Sequence, residues 1–355
     1  MSVIMPAPIG NENGPRTMTA SPARPTTFTE LADLASLRLG GKVLVVNDEF
    51  FAAKENLLKP GRASFIPDKY TARGKWMDGW ETRRRRTPGH DWCVVRLGTP
   101  GRIYGVDVDT HHFVGNFPAE ASIDACHRPG SVDRRSILGP QTLWREILPR
   151  SPLRGDAQNL FPVEASLTFT HVRLNIFPDG GVARLRVYGE VDASALLAAK
   201  GPVDLASIRN GGLVLGASDM HFGSKDNLIM PGRSANMGDG WETRRRRGPG
   251  HDWLVLRLAA TGRIDRIEVD TNHFKGNYPE SCSLEGCRAE GASLDQLLAR
   301  PHSWQELLPR TRLGPHRRHF FRPQSAIGPF SHVRFNIYPD GGVSRLRLHG
   351  RPFAP

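Results

Sequence analysis

The chain has 355 residues, 39% of them hydrophobic and 24% charged, which allows two or three packed domains, and no segment approaches the length of a membrane span. Its 37 glycines and 28 prolines favour turns and strands over a helical bundle. The formal net charge of +12 fits a nucleic-acid surface, an acidic membrane or anionic small substrates, but eight of the positive charges sit in two four-arginine blocks, so much of the excess is local.

Four cysteines (Cys93, Cys126, Cys282, Cys287) form no Cys-x-x-Cys pair and no zinc-ligand spacing. They read as reduced thiols in an intracellular protein, expected in the cytoplasm. Met1 to Thr27 lacks the charged start and apolar stretch of a signal peptide. Rich in Pro, Gly, Ser and Thr, residues 1–27 are expected to form a mobile tail.

Beyond the tail the chain repeats itself. Gly79-Trp80-Glu81-Thr82-Arg83-Arg84-Arg85-Arg86, then Gly89-His90-Asp91-Trp92, returns as Gly240 to Arg247 and Gly250-His251-Asp252-Trp253, 161 residues further on (Asp78 to Asp239). Such a duplication comes before any local reading. It divides the chain into a first unit over 28–193, a linker over 194–201 and a second unit over 202–355.

The units start with the matching stretches Phe28–Ser36 and Pro202–Ser207, and each then has a short strand running into a polar loop, Val43 to Asp48 and Leu213 to Asp219. These loops match at a spacing of 171, so the first unit carries ten extra residues between Arg62 and Asp78. A loop longer in one copy is where repeats diverge in function. Trp92–Leu97 and Trp253–Leu258 read as central strands. After a Gly turn, Ile103–Thr110 and Ile264–Thr271 alternate as half-buried strands do. Alternation puts Val106, Val108, Thr110 and His112 on one face and Asp107, Asp109 and His111 on the other. Trp144–Leu148 and Trp304–Leu308, stopped by Pro149 and Pro309, are the helix candidates. Each unit closes with a predicted hairpin whose turn is Pro178-Asp179-Gly180-Gly181 or Pro339-Asp340-Gly341-Gly342. Many short strands and few helices make each unit a jelly-roll β-sandwich.

The arginine block lies within or beside a strand, which sends Arg84 and Arg86 to one face and Arg83 and Arg85 to the other. That spoils a continuous phosphate-binding patch but suits placing one or two guanidiniums in a pocket, where a planar fork grips a carboxylate. Each single arginine is more simply a salt-bridge partner of Glu81, Asp78 or a nearby strand aspartate. Glu81 and Glu242 beside the block are either general bases or those partners. His90 and His251 suggest a loop mouth. His112 and His273 recur in Asp-Thr-x-His-Phe-x-Gly-Asn, closed by Asn116 and Asn277 at a strand end, where ligand-contacting loops cluster. Asp109, His111 and His112 leave room for a divalent metal, but Asn272 replaces His111 in the second copy, so a repeated metal cage is not supported and no cofactor is firmly implied. The four motif tryptophans read as core. No Ser-His-Asp order, phosphate-binding Gly loop or dinucleotide fingerprint is present.

Gly74–Arg86, the Gly-His-Asp-Trp that follows, and Asp107–Asn116 resemble the allantoicase family, over both repeats from about Phe28 to Gly350. The second copy departs from the pattern at Asn236-Met237-Gly238, where the first has Lys75-Trp76-Met77, and at Asn272. The resemblance implies two galactose-binding-like jelly rolls in a homo-oligomer that hydrolyses allantoate to ureidoglycolate and urea, with neither nucleic acid nor membrane as partner. On that basis Glu81, His112, Glu242 and His273 are the acid–base candidates. Arg83, Arg85, Asn116, Lys75, Arg244, Arg246 and Asn277 are the substrate-binding candidates. A non-catalytic ligand- or protein-binding module of the same fold is the competing expectation.

Overall fold

The computed structural model describes residues 27–299, 304–323 and 328–353. Apart from Thr27, the expected N-terminal tail lies outside them. The described chain is nearly all β, arranged as two copies of one jelly-roll sandwich. No helix among the described residues is long and apolar enough to cross a membrane.

One long strand organises each unit: Asp91–Asp109 in the first and Asp252–Asp270 in the second. The first half of Asp91–Asp109 pairs with Thr168–Phe177 and Lys42–Val46, and its second half with Arg184–Val191 and Leu160–Pro162. Its register against Thr168–Phe177 jumps between Arg96 and Gly101, where the strand changes neighbours and passes from one layer to the other. The Gly turn expected there is therefore a bend in a continuous strand. Glu120–Cys126 and Arg145–Pro152 extend the first layer, and Ala32–Asp33 the second.

The layers close over Cys93, Val95, Val106, Val108, Ile123 and Leu174, all fully buried. Trp80 and Trp241 are also fully buried, and each satisfies its indole N–H on a backbone carbonyl (Asp48 and Asp219, both 2.8 Å). Truncating either to alanine removes about 3–5 kcal/mol. Trp92 and Trp253 instead cover the outer face, half-buried with Trp144 and Trp304. All four cysteines are buried and unpaired.

Three local expectations give way to tertiary structure. Trp144–Leu148 and Trp304–Leu308 are not helices but the starts of the strands Arg145–Pro152 and Gln305–Arg312. These strands lie at the sheet edge, where Pro149 and Pro309 forfeit no ladder bond and pairing with Glu120–Cys126 and Ser281–Cys287 supplies the backbone hydrogen bonds. The short helices are elsewhere, at Arg134–Leu138, Ser194–Leu197 and Leu294–Leu298. Ser194–Leu197 falls in the expected linker and buries Leu196. The Pro-Asp-Gly-Gly tetrads do not turn a two-stranded hairpin, because the strands on either side pair with opposite halves of the long strand. Finally, the later parts of the strands expected to be half-buried, residues 105–110 and 267–271, are buried on both faces, with Asp107 and Asp109 nearly as hidden as Val106 and Val108.

Candidate active site

The site is built on a two-residue strand. Trp80–Glu81 pairs with Gly181–Val182, and Trp241–Glu242 with Gly342–Val343. The tryptophan drops into the core, so alternation sends the following glutamate to the other side. Gly181 and Gly342 permit the packing beneath: a Cβ there would fall 2.0 Å from the Phe113 ring and 1.9 Å from the Phe274 ring.

Phe113 and Phe274 in turn fix the loop that ends in the recurring asparagine. The Asn116 and Asn277 carbonyls each accept the next strand's first N–H, from Gly181 and Gly342 at 2.8 Å. Their side chains then face the glutamates. Asn116 Nδ2 donates to Glu81 Oε1 at 2.7 Å, and Asn277 makes the same bond to Glu242. Burial pushes both glutamate carboxyls above the usual carboxylate range, and the asparagine bond offsets only part of that.

The four-arginine run is an irregular segment rather than a strand, so alternation does not decide where its side chains go. The Arg85 and Arg246 backbone N–H groups donate to Asp179 and Asp340 of the Pro-Asp-Gly-Gly tetrads, both at 2.8 Å. Their guanidiniums pair with buried Asp91 (3.4 Å) and Asp252 (2.5 Å). Arg83 and Arg244 are exposed and held by Asp48 (2.7 Å) and Asp219 (3.2 Å). The aspartate partners anticipated from sequence are thus found, but Glu81 and Asp78 are not among them. Arg84 and Arg245 have no hydrogen bond or ion pair with any described residue.

In the second unit Glu242, Arg245, Arg246, Asn277, Arg312 and Asp340 line one cleft of about 760 Å³. Three of the expected residues, Glu242, Arg246 and Asn277, therefore meet. Arg244 and His273 do not line the cleft, whereas Arg245 and Arg312 do. Sequence reasoning passed over both: Arg245 was one of four identical neighbours, and Arg312 lies beyond the motifs. In the first unit Glu81 and Asn116 keep the same relation, and Pro152 occupies the position of Arg312.

The recurring histidines hold loops. His112 and His273 adopt positive φ (69° and 72°). The His112 N–H donates to Asp156 Oδ1 and the His273 N–H to His316 Nδ1, both at 2.8 Å. Their Nε2 atoms lie 3.2 Å from the Ala63 carbonyl and 3.0 Å from the Ser234 carbonyl. Those carbonyls belong to the loop preceding Gly-Trp-Glu, the loop that is ten residues longer in the first unit. There Lys75, on the small hairpin Tyr70–Thr71/Gly74–Lys75, sits 4.7 Å above Phe65, whose ring is 5.4 Å from that of His112. His90 and His251 pack on Phe177 and Tyr338, each 4.7 Å between ring centres.

Among the described residues, His111, His112 and Asp156 offer ligand atoms within 4.8 Å of one another. The carboxylate in this set is Asp156 rather than the expected Asp109, which is buried and accepts the His111 N–H at 2.8 Å. Asp156 already pairs with His111 Nδ1 at 3.1 Å, and Asn272 breaks the set in the second unit.

This chain matches the family model described as the allantoicase repeat twice, over residues 32–192 and 203–353. It is 51% identical over 331 residues to a probable allantoicase 2 from Burkholderia pseudomallei, covering 93% of this chain and 97% of that one. It is 48% identical to an allantoicase from Dictyostelium discoideum, over 92% and 89% of the two chains. A crystal structure of allantoicase from Saccharomyces cerevisiae is 37% identical and superposes with a TM-score of 0.77, over 90% of this chain and 92% of that one. With the duplicated sandwich and both motif sets in register, the chain belongs to the allantoicase family.

Proposed function

We propose that the protein hydrolyses allantoate to (S)-ureidoglycolate and urea, a step of purine catabolism, using Glu242 and its equivalent Glu81 as acid–base groups. The observation that carries this reading is the cleft in which a glutamate with a raised pKa, clamped by an asparagine, shares the wall with an uncommitted arginine. Allantoate carries a carboxylate and two ureido groups on one carbon. Arg245, with no internal partner, has its full fork available for that carboxylate, and Arg312 adds charge at the rim. Asn277 orients a ureido group while holding Glu242.

A glutamate whose carboxyl is raised by burial holds a proton more readily than an exposed one. It can protonate the departing ureido nitrogen, then take a proton from the water that adds to the carbon. Arg246, already neutralised by Asp252, supports the wall rather than the substrate. In the first unit Arg84 and Arg85 hold the equivalent positions in the sequence, and Asn116 makes the equivalent bond to Glu81. His112, His273 and Lys75 are assigned to shaping the adjoining loops. The family resemblance further supports a cytoplasmic homo-oligomer.

The test is steady-state allantoate hydrolysis by Arg245→Ala and Arg245→Lys in a chain that also carries Glu81→Gln. Loss of a bidentate carboxylate contact raises KM by about 10- to 100-fold in Arg245→Ala, with partial recovery in Arg245→Lys. An unchanged KM in both would remove Arg245 from the substrate.

A further inference from the structure

The two units hold the aspartate ahead of Gly-Trp-Glu in the same way, with one exchange. In the first unit Asp78 is gripped by Arg184 (2.6 Å), by the Ser64 N–H (3.0 Å) and by Lys59 (3.1 Å). In the second, Asp239 is gripped by Arg345 (2.9 Å) and by the Ala235 N–H (3.0 Å), the equivalents of the first two. The third partner has no equivalent, because Met230 stands where the first unit has Lys59. Arg38 takes its place. This arginine belongs to the first unit, lies between the strands Ala32–Asp33 and Lys42–Val46, and crosses to pair with Asp239 while donating to Asn227 Oδ1 at 2.6 Å. The reverse does not occur. Arg209, the counterpart of Arg38, donates to the Leu39 carbonyl at 2.9 Å and reaches no aspartate.

We propose that Arg38 of the first unit is a positioning residue for the Glu242 cleft of the second, so that one site is completed across the unit boundary and the other is self-contained. Two routes lead from Arg38 to the glutamate. Asn227, held by Arg38, donates to the Gly240 carbonyl at 3.0 Å, two residues before Glu242. Asp239 ends the helical turn Met237–Asp239, and Met237 Sδ lies 3.6 Å from Asn277 Nδ2, the group that holds Glu242. Asp239 and Arg38 are largely enclosed, with side chains 19% and 25% exposed, so solvent does not replace the lost cation cheaply. The proposal rests on the preceding section for its catalytic consequence, but not for the structural coupling itself.

Hydrogen exchange tests the coupling without any substrate. In Arg38→Ala the amides of 235–242 exchange about 10-fold faster, while the matching amides of 64–81 keep their rates. Adding Met230→Lys, which restores a cation within the unit, slows 235–242 again. Equal acceleration in both units, no acceleration in the second, or no slowing by Met230→Lys would overturn the proposal. In a second arm, Arg38→Ala lowers kcat/KM for allantoate about 10-fold in a Glu81→Gln chain, where turnover rests on the second unit, and leaves it unchanged in a Glu242→Gln chain. Equal losses in the two chains would also overturn it. If no chain, wild type included, released urea, the reading of the site as a hydrolase would fall while the exchange result still decided the role of Arg38.

Discussion

Asn116 Nδ2 donates to Glu81 Oε1 at 2.7 Å, and Asn277 repeats that bond to Glu242 in the second unit. The bond stabilises the ionised carboxylate, against burial, which raises the pKa. Removing it leaves desolvation unopposed. In Asn116→Ala/Asn277→Ala the alkaline limb of kcat/KM, set by loss of the glutamate's proton, therefore moves to higher pH, and the maximal rate falls about 10-fold with the loss of the orienting group. A pH–rate profile reads both. An alkaline limb that stays in place would show that the glutamates do not set it.

Neighbouring arginines in the block are expected to separate stability from activity. Arg244→Ala breaks an exposed pair with Asp219 and costs less than about 1 kcal/mol. Arg246→Ala strands the carboxylate of Asp252, which is 2% exposed, and costs about 2 kcal/mol. Arg245→Ala, with no internal pair to break, leaves stability unchanged while weakening allantoate binding. Urea denaturation beside the kinetic assay distinguishes the three.

Gly342→Ala would push a methyl group against the Phe274 ring, and Gly181→Ala against Phe113. Each substitution forces apart the ring and the strand that carries the glutamate, at a cost of about 3 kcal/mol. The result expected from thermal unfolding is a lower Tm accompanied by lost activity.

Asp107 provides a pH prediction. Burial pushes its carboxyl up to about 6, and Gln158 supplies one hydrogen bond at 2.9 Å while Oδ1 is left without a partner. The folded protein therefore holds this proton more tightly than the unfolded chain, so stability falls as pH rises from about 4 to about 6 and stays lowered above that. Asp107→Asn relieves this. The substitution should stabilise the protein by about 2 kcal/mol at pH 7.5 and by little at pH 4. Equal stabilisation at both pH values would contradict the assignment. The second unit has Glu268 here, paired with Arg318 at 2.6 Å; although burial opposes it, that pairing holds Glu268 below the usual range.

The duplication, the all-β class, the buried Trp80 and Trp241, and the meeting of Glu242 with Asn277 were legible because each rests on a repeated motif or on strand periodicity. Elements that depend on distant partners were not. Arg145–Pro152 becomes a strand only because Glu120–Cys126 offers it an edge, a fact absent from any five-residue window. The Pro-Asp-Gly-Gly tetrads bend the chain at Pro178 and Pro339 but join no hairpin, since nothing local says that the flanking strands pair with opposite halves of the long strand. The uncommitted arginine was hidden for a similar reason. Which of four identical residues stays unpaired depends on where Asp48, Asp91 and Asp179 arrive from elsewhere in the fold.

The most direct test is urea and ureidoglycolate release from allantoate by the wild type, Glu81→Gln, Glu242→Gln and the double variant, each checked for folding by circular dichroism. The account predicts product from the wild type, a partial loss in each single variant, and a loss of about 100-fold or more in the double variant. Turnover in the double variant at the wild-type rate would contradict the central role of the two glutamates. Absence of product from the folded wild type would contradict the hydrolase itself.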